Sequence, residues 1–253
     1  MKISKRILIW VDVLFSFLAT FFGVKANIKT PEETVEEINK GKSLIRFGDG
    51  EFGIYRGKDI HYQIWSPELK ESFEKIKADF ENEKDACPYI LAVPKRFMTA
   101  KGTELAKKRV YVSSWSQSRY DFKKNFKRDL TYGDSFLFEK GNKDIYSKIW
   151  TAEACPQNII FVHNNEQYAR YFEDTYKKNT VFIKCPSRDS FESIDTIEKE
   201  IREEIQKNNW DKNQVMLTIS AGPAGKVLVY KFSKEGYQCI DAGHCWDDPL
   251  EGM

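Results

Sequence analysis

From residue 43 to residue 241, short runs that are apolar throughout alternate with longer stretches that are apolar on one face only. The runs SLIRF (43–47), YILAVP (89–94), SFLF (135–138), IIFVH (159–163), VFIKC (181–185), VMLTIS (215–220) and YQCID (237–241) read as strands buried on both faces. Helices are predicted between the later ones, near 142–152, 165–178, 193–208 and 223–235, and another near 101–109. In 193–208, Ile194, Ile197, Ile201 and Ile205 recur on one face while charges fill the other. Two more helices announce their starts. Thr30-Pro31-Glu32-Glu33 combines a capping box with proline at the first helical position, and Ser66-Pro67 opens a second helix through about Lys84. Fully apolar strands joined by amphipathic helices specify a mainly parallel sheet covered on both sides. No repeat, low-complexity tract or linker divides residues 30–253. The expected fold is a single Rossmann-like α/β domain, preceded by an N-terminal hydrophobic helix.

That leading segment, residues 1–29, holds five Lys/Arg and one acid, whereas the rest of the chain is slightly acidic. Residues 7–24, ILIWVDVLFSFLATFFGV, follow Lys2, Lys5 and Arg6. A signal peptide fits the basic start, with Val24-x-Ala26 as its cleavage site. A spanning helix needs about 20 apolar residues, and Asp12 would cost it roughly 2.5–3.5 kcal/mol near the bilayer centre. The polar positions favour a third arrangement. Asp12, Ser16, Thr20 and Gly23 form one narrow helical stripe. Residues 7–24 are therefore expected to lie in a membrane surface, stripe toward water and basic start on anionic lipid. The competing arrangement packs the stripe on the protein itself.

Open α/β sheets bind ligands beyond the carboxyl ends of their strands, and three predicted strand ends carry chemistry. RFGDGEFG contains Gly48-x-Gly50-x-x-Gly53, the letters of a dinucleotide fingerprint. Asp49 and Glu51 inside that loop would repel a diphosphate unless a cation intervened. Residues 54–57 look like loop, without the helix the fingerprint requires. A nicotinamide or S-adenosylmethionine enzyme built on these glycines is therefore the alternative reading. The favoured one takes Asp49-x-Glu51 as an extended segment whose two carboxylates point to one side. They would hold Mn²⁺ or Mg²⁺ against a nucleotide diphosphate, with Arg46 pairing to carboxylate or phosphate.

SAGPAGK (220–226) sets Gly222, Gly225 and Lys226 between a strand and a helix, where free N–H groups and an ammonium suit a diphosphate. It is not a P-loop, since Val227 stands where Ser or Thr is needed. DAGHCWDD (241–248) places His244 among Asp241, Asp247 and Asp248. A histidine there can serve an acceptor hydroxyl as general base, oriented by an aspartate. His163, which ends another strand, is a lesser candidate for nucleotide contact, and His61 reads as structural.

The blocks around these motifs resemble the GT-D-fold glycosyltransferases, bacterial enzymes first catalogued as a domain of unknown function. The similarity is carried by IRFGDGEF with its following loop and Pro-started helix, by the 220–226 turn, by Gly236-Tyr237-Gln238 through Ile240-Asp241-x-Gly243-His244, and by Cys185-Pro186. It spans about residues 30–248. The resemblance implies a UDP-sugar donor, Mn²⁺, a D-x-E motif at Asp49 and Glu51, and glycosylation of surface glycoproteins or polysaccharides. Acidic positions expected after the Gly-His fall at Asp247, Asp248 and Glu251, and Asp189 stands where Asn is expected. A non-catalytic nucleotide-binding module remains a third possibility.

Composition adds two exclusions. A net charge of +2 argues against nucleic acid as partner, even though residues 111–128 interleave aromatics with Lys and Arg. Three histidines and five cysteines without a C-x-x-C give no metal cage and no disulfide framework. They read as reduced thiols in an enzyme at the cytoplasmic face of a membrane.

Overall fold

A computed structural model of the chain describes residues 2–245, and side chains from Ile7 onward. In chain order, α1 (Lys2–Ala19) leads to β1 (Asn27–Ile28), α2 (Pro31–Asn39), β2 (Ser43–Arg46) and α3 (Asp49–Tyr55). Then come α4 (Pro67–Glu83), β3 (Tyr89–Val93), α5 (Lys95–Thr99), α6 (Gly102–Leu105), α7 (Arg109–Asn125) and β4 (Thr131–Asp134). The second half holds α8 (Lys143–Tyr146), α9 (Lys148–Thr151), β5 (Asn158–His163), α10 (Glu166–Tyr176) and β6 (Asn179–Lys184). It closes with α11 (Ile194–Lys207), β7 (Val215–Ile219), α12 (Gly222–Lys234) and β8 (Gln238–Asp241).

The eight strands form one sheet in the order β1-β4-β3-β2-β8-β7-β5-β6, and every pairing is parallel. Each face of the sheet is sealed by its own apolar layer. One includes Phe73, Phe122, Ile201 and Leu228 from α4, α7, α11 and α12; the other includes Ile38, Trp150 and Phe172 from α2, α9 and α10. The α/β expectation therefore holds. The four isoleucines of α11 are all buried, and α2 starts as its letters require. Thr30 Oγ1 accepts the Glu33 N–H at 3.2 Å, and Glu33 Oε2 accepts the Thr30 N–H at 2.7 Å.

Two local expectations are corrected, and a stretch with no assigned element proves helical. The fourth strand is Thr131–Asp134 rather than 135–138, because Asp134 is needed at its end. Its carboxylate accepts the Lys95 and Phe136 N–H groups at 3.2 and 3.0 Å and so turns the chain out of the sheet. Residues 109–125 form one long helix, α7, within the aromatic and basic stretch. The polar stripe of α1 faces the protein rather than water. Ser16 and Thr20 are buried, Gln117 donates to the Asp12 carboxylate, and Gly23 lies so close to Thr99 that a Cβ would stand 2.4 Å from its carbonyl oxygen. The buried Arg119 guanidinium donates to the Thr20 and Ala100 carbonyls and so closes the C-terminus of α1. Desolvation pushes its pKa down to about 10, which leaves it charged at neutral pH. Among the described residues, no helix is long and apolar enough to cross a membrane.

Candidate functional site

β2 and β8 lie side by side at the centre of the sheet, and from β2 the chain runs outward through β3 and β4 while β7, β5 and β6 lie on the far side. This is the topological switch at which parallel α/β sheets open a crevice. A cleft of about 810 Å³ lies there, of the size that takes a small-molecule ligand. Its walls come from the segments after β2, β4, β5, β6, β7 and β8 and from one side of α7. Arg46, Gly48, Asp49, Gly50, Glu51, Gly222, Lys226 and His244 all line it. Residues from three separated motifs therefore meet in one place.

Gly225 does not line the cleft. A Cβ there would stand 3.1 Å from Ile219 Cγ2, so glycine serves the close packing of α12 on β7. Asp247 and Asp248 lie outside the described residues.

A buried charge cluster forms the floor. The Lys226 ammonium stands 3.1 Å from Asp241 Oδ2 and 3.4 Å from Glu51 Oε1, and donates to the Gly222 carbonyl at 3.3 Å. Burial alone would lower its pKa, but the Asp241 and Glu51 carboxylates outweigh that and hold it charged, above the ordinary lysine value. Arg46 Nε donates to the Asp241 carbonyl at 2.8 Å, and Nη1 donates to the Ser135 carbonyl at 2.9 Å. Its backbone N–H donates to Asp241 Oδ2 at 3.1 Å. Arg46 was expected to pair with a carboxylate or a phosphate, and Lys226 to meet a diphosphate; in the structure their charges tie β2, β8, α3 and α12 together. Asp241 is the residue at the centre, noted in the sequence only as a neighbour of His244.

Asp49 and Glu51 do not lie in an extended segment. They fall in the first turn of α3, where side chains two apart diverge by roughly 200°. Glu51 turns inward, and its Oε2 accepts the Gly48 N–H at 2.7 Å. Asp49 stays at the cleft mouth, where its carboxylate accepts the adjacent Gly50 N–H at 3.1 Å. Desolvation, and next the Glu51 charge, raise the Asp49 carboxyl above the ordinary aspartate value. The dinucleotide alternative loses its physical basis here. The N–H at Gly48 that would cradle a pyrophosphate is already given to Glu51, and α3 is only seven residues long.

The opposite wall was mostly invisible in the sequence. Tyr62 packs edge-on against His244, ring centroids 6.1 Å apart, and lies over Gly222, where a Cβ would stand 3.1 Å from its ring. Desolvation, reinforced by the Glu51 charge, pushes the phenol pKa up to about 12. Asp189 takes a left-handed conformation, and its Oδ1 accepts the Ile64 N–H at 2.7 Å. An asparagine oxygen would serve equally, which explains why either residue suits this position. Arg188 donates to the His61 carbonyl at 3.0 Å, so the loop after β6 clasps the 59–64 loop. His163 lines the cleft while its Nδ1 accepts the Asn165 N–H at 3.0 Å, which leaves the proton of the neutral ring on Nε2. The hydroxyls of Ser135 and Ser220 are buried at the cleft with no hydrogen-bond partner among the described residues.

Gly243 permits this packing. Its φ is +54°, and a Cβ would stand 1.7 Å from Arg46 Nη2. Gly243→Ala is therefore expected to displace a guanidinium held at two carbonyls and to strain the backbone. Together these cost about 2–4 kcal/mol, to be read as a lower denaturation midpoint in urea.

The sequence profile of the Glycosyltransferase GT-D fold family matches residues 44–248. The chain is 25% identical over 217 residues to "Probable glycosyl transferase Gly" of Streptococcus gordonii, covering 82% of this chain and 30% of that protein. It is 26% identical over 248 residues to "Glycosyltransferase GlyD" of Streptococcus pneumoniae serotype 4, covering 89% of this chain and 27% of the relative. The chain thus spans less than a third of these two relatives. A solved structure of a glycosyltransferase from Streptococcus sanguinis superposes with a TM-score of 0.69 at 22% identity, over 88% of this chain and 83% of that one, a likeness of fold.

Proposed function

This chain belongs to the GT-D-fold glycosyltransferase family, and from that premise we propose that it transfers a sugar from a nucleoside diphosphate sugar, a UDP-sugar, to a hydroxyl of a glycan, glycoprotein or surface-polysaccharide precursor. The observation that carries this reading is the division of labour between the two D-x-E carboxylates. Glu51 is committed to the protein, through Gly48 and Lys226, while Asp49 is left at the mouth of the cleft. Mg²⁺ and Mn²⁺ are commonly held by one or two carboxylates together with substrate phosphates. A single available carboxylate suits such a shared site. Among the described residues no group of three candidate ligands forms an all-protein cage. Asp49 would hold the cation, which when bound offsets the negative charge of a diphosphate leaving group.

The chain's own groups supply the rest. The amino end of α12, with Gly222 at a positive φ, presents backbone N–H dipoles to the cleft, a favourable environment for phosphate oxygens. His244, held against Tyr62, is the candidate base for an acceptor hydroxyl, with Asp247 or Asp248 as its expected partner. The buried thiols, with the apolar outer face of α1, support a reaction at the cytoplasmic face of a membrane.

Incubation with UDP-sugars, Mn²⁺ and glycan acceptors is expected to release UDP, and EDTA is expected to abolish release. Absence of turnover with every nucleotide sugar, alongside binding of NADH or S-adenosylmethionine, would overturn the reading. Metal-dependent UDP binding without turnover would instead mark a nucleotide-binding module.

A further inference from the structure

Eleven large apolar side chains are exposed among the described residues, and nine of them lie between Ile7 and Phe22. The concentration is not scatter. Trp10, Leu14, Phe15 and Leu18 are 43–63% exposed, while the buried Val13, Ser16 and Thr20 occupy the opposite side of the same helix. From Val13 onward the helix thus has its small polar positions on the protein and its bulky apolar positions outside, the reverse of a surface helix made for water, while residues 7–12 are exposed throughout. Soluble surfaces rarely keep so large a contiguous apolar face uncovered.

The charges around this face say what it meets. Residues 1–29 contain one acid, Asp12, and its carboxylate is engaged by Gln117 of α7. Lys2, Lys5 and Arg6 lie in the first turns of α1. At the same end, the exposed Lys107, Lys108 and Arg109 lead into α7, and the Arg109 guanidinium lies 5.0 Å from the centroid of the Trp10 ring. An aromatic ring beside cations at the rim of an apolar face matches a lipid interface, with rings at headgroup depth and cations on anionic headgroups. Against a second copy of the same face the cations would repel.

We infer that the outer face of α1 is a docking surface for an anionic lipid bilayer, with the helix in the plane of the interface and its polar stripe packed on α7. Burying this face in the interface gives the surface a use without requiring a span. The same geometry sets the orientation of the cleft. Ser113, Ser114 and Gln117 of α7 line it, and Gln117 also takes a hydrogen bond from Lys58 at 3.4 Å while bonding Asp12 of α1. Two packed helices, α1 and α7, each about 10 Å across, therefore lie between the docked face and the cleft, which places the cleft roughly 20 Å from the bilayer surface.

The test is flotation of the full chain with vesicles, and it is independent of any sugar transfer. The protein is expected to float with vesicles of equal parts phosphatidylglycerol and phosphatidylcholine, and to be partly released by salt. Binding to phosphatidylcholine alone is expected to be much weaker. Leu14→Glu combined with Leu18→Glu should reduce partitioning roughly a hundredfold or more while leaving the thermal midpoint unchanged, since both side chains are exposed. The inference is overturned if the folded chain stays in the soluble fraction with anionic vesicles, or if the double variant floats as the parent does. Equal binding to neutral vesicles would remove the anionic requirement. A dimer that Leu14→Glu dissociates, without lipid binding, would assign the face to a second copy.

Discussion

Lys226→Met is expected to destabilise the fold by about 3–5 kcal/mol, the cost of leaving buried charges without their partner. The ammonium is itself buried and sits between Glu51 and Asp241, which are 5% and 0% exposed. Methionine fills much of the same space but leaves two carboxylates facing each other in a low-dielectric floor. Arg46 relieves only Asp241, from 3.9 Å, because its other donors are given to carbonyls. Urea unfolding would record the loss. Adding Glu51→Gln to Lys226→Met should recover part of it by removing one of the two like charges, so that the pair is non-additive. A loss well under about 1 kcal/mol for Lys226→Met, the range of an exposed ion pair, would contradict the buried cluster described here.

Asp49→Asn should do the opposite: little change in stability and a large loss of turnover. Its side chain reaches solvent, and desolvation with the Glu51 charge disfavours its ionised form in the fold. A carboxyl whose pKa is raised on folding weakens stability once pH exceeds that pKa, so removing the charge at neutral pH costs nothing and brings a slight gain. Activity should fall on the order of a hundredfold or more, the scale at which one electrostatic contact to developing charge registers. The apparent KM for Mn²⁺ should rise in parallel. Turnover kinetics and thermal melting on the same preparation separate the two effects. A variant that loses activity together with its fold would assign Asp49 to the structural floor, beside Glu51.

These two substitutions expose the limit of reading a motif as letters. D-x-E was legible as a pair of hard ligands at a strand end, and both residues do line the cleft. Their division of labour was not legible, because the partner that commits Glu51, Lys226, comes from the far end of the chain and arrives through α12. Three glycines within six residues also concealed α3, since glycine weakens any helical reading. The helix forms because Glu51 caps the Gly48 N–H and because Phe52 and Ile54 are buried in the core. The Tyr62 wall had no sequence signal, as it is placed by the hydrogen bonds of Arg188 and Asp189 to the 61–64 backbone.

Local periodicity by itself determined the α/β class, the parallel sheet, the α11 face and the α2 cap, because each depends on residues a few positions apart. It also determined that Asp12, Ser16, Thr20 and Gly23 share one side of α1. Only the tertiary structure decided which medium that side meets. A stripe of small polar residues suits water or a protein neighbour equally, and the choice went to the protein when Arg119 and Gln117 of α7 supplied buried partners. The apolar majority of α1 was then left facing outward. Sequence spacing fixes which side chains travel together; what they meet depends on contacts between segments about a hundred residues apart, which no local pattern records.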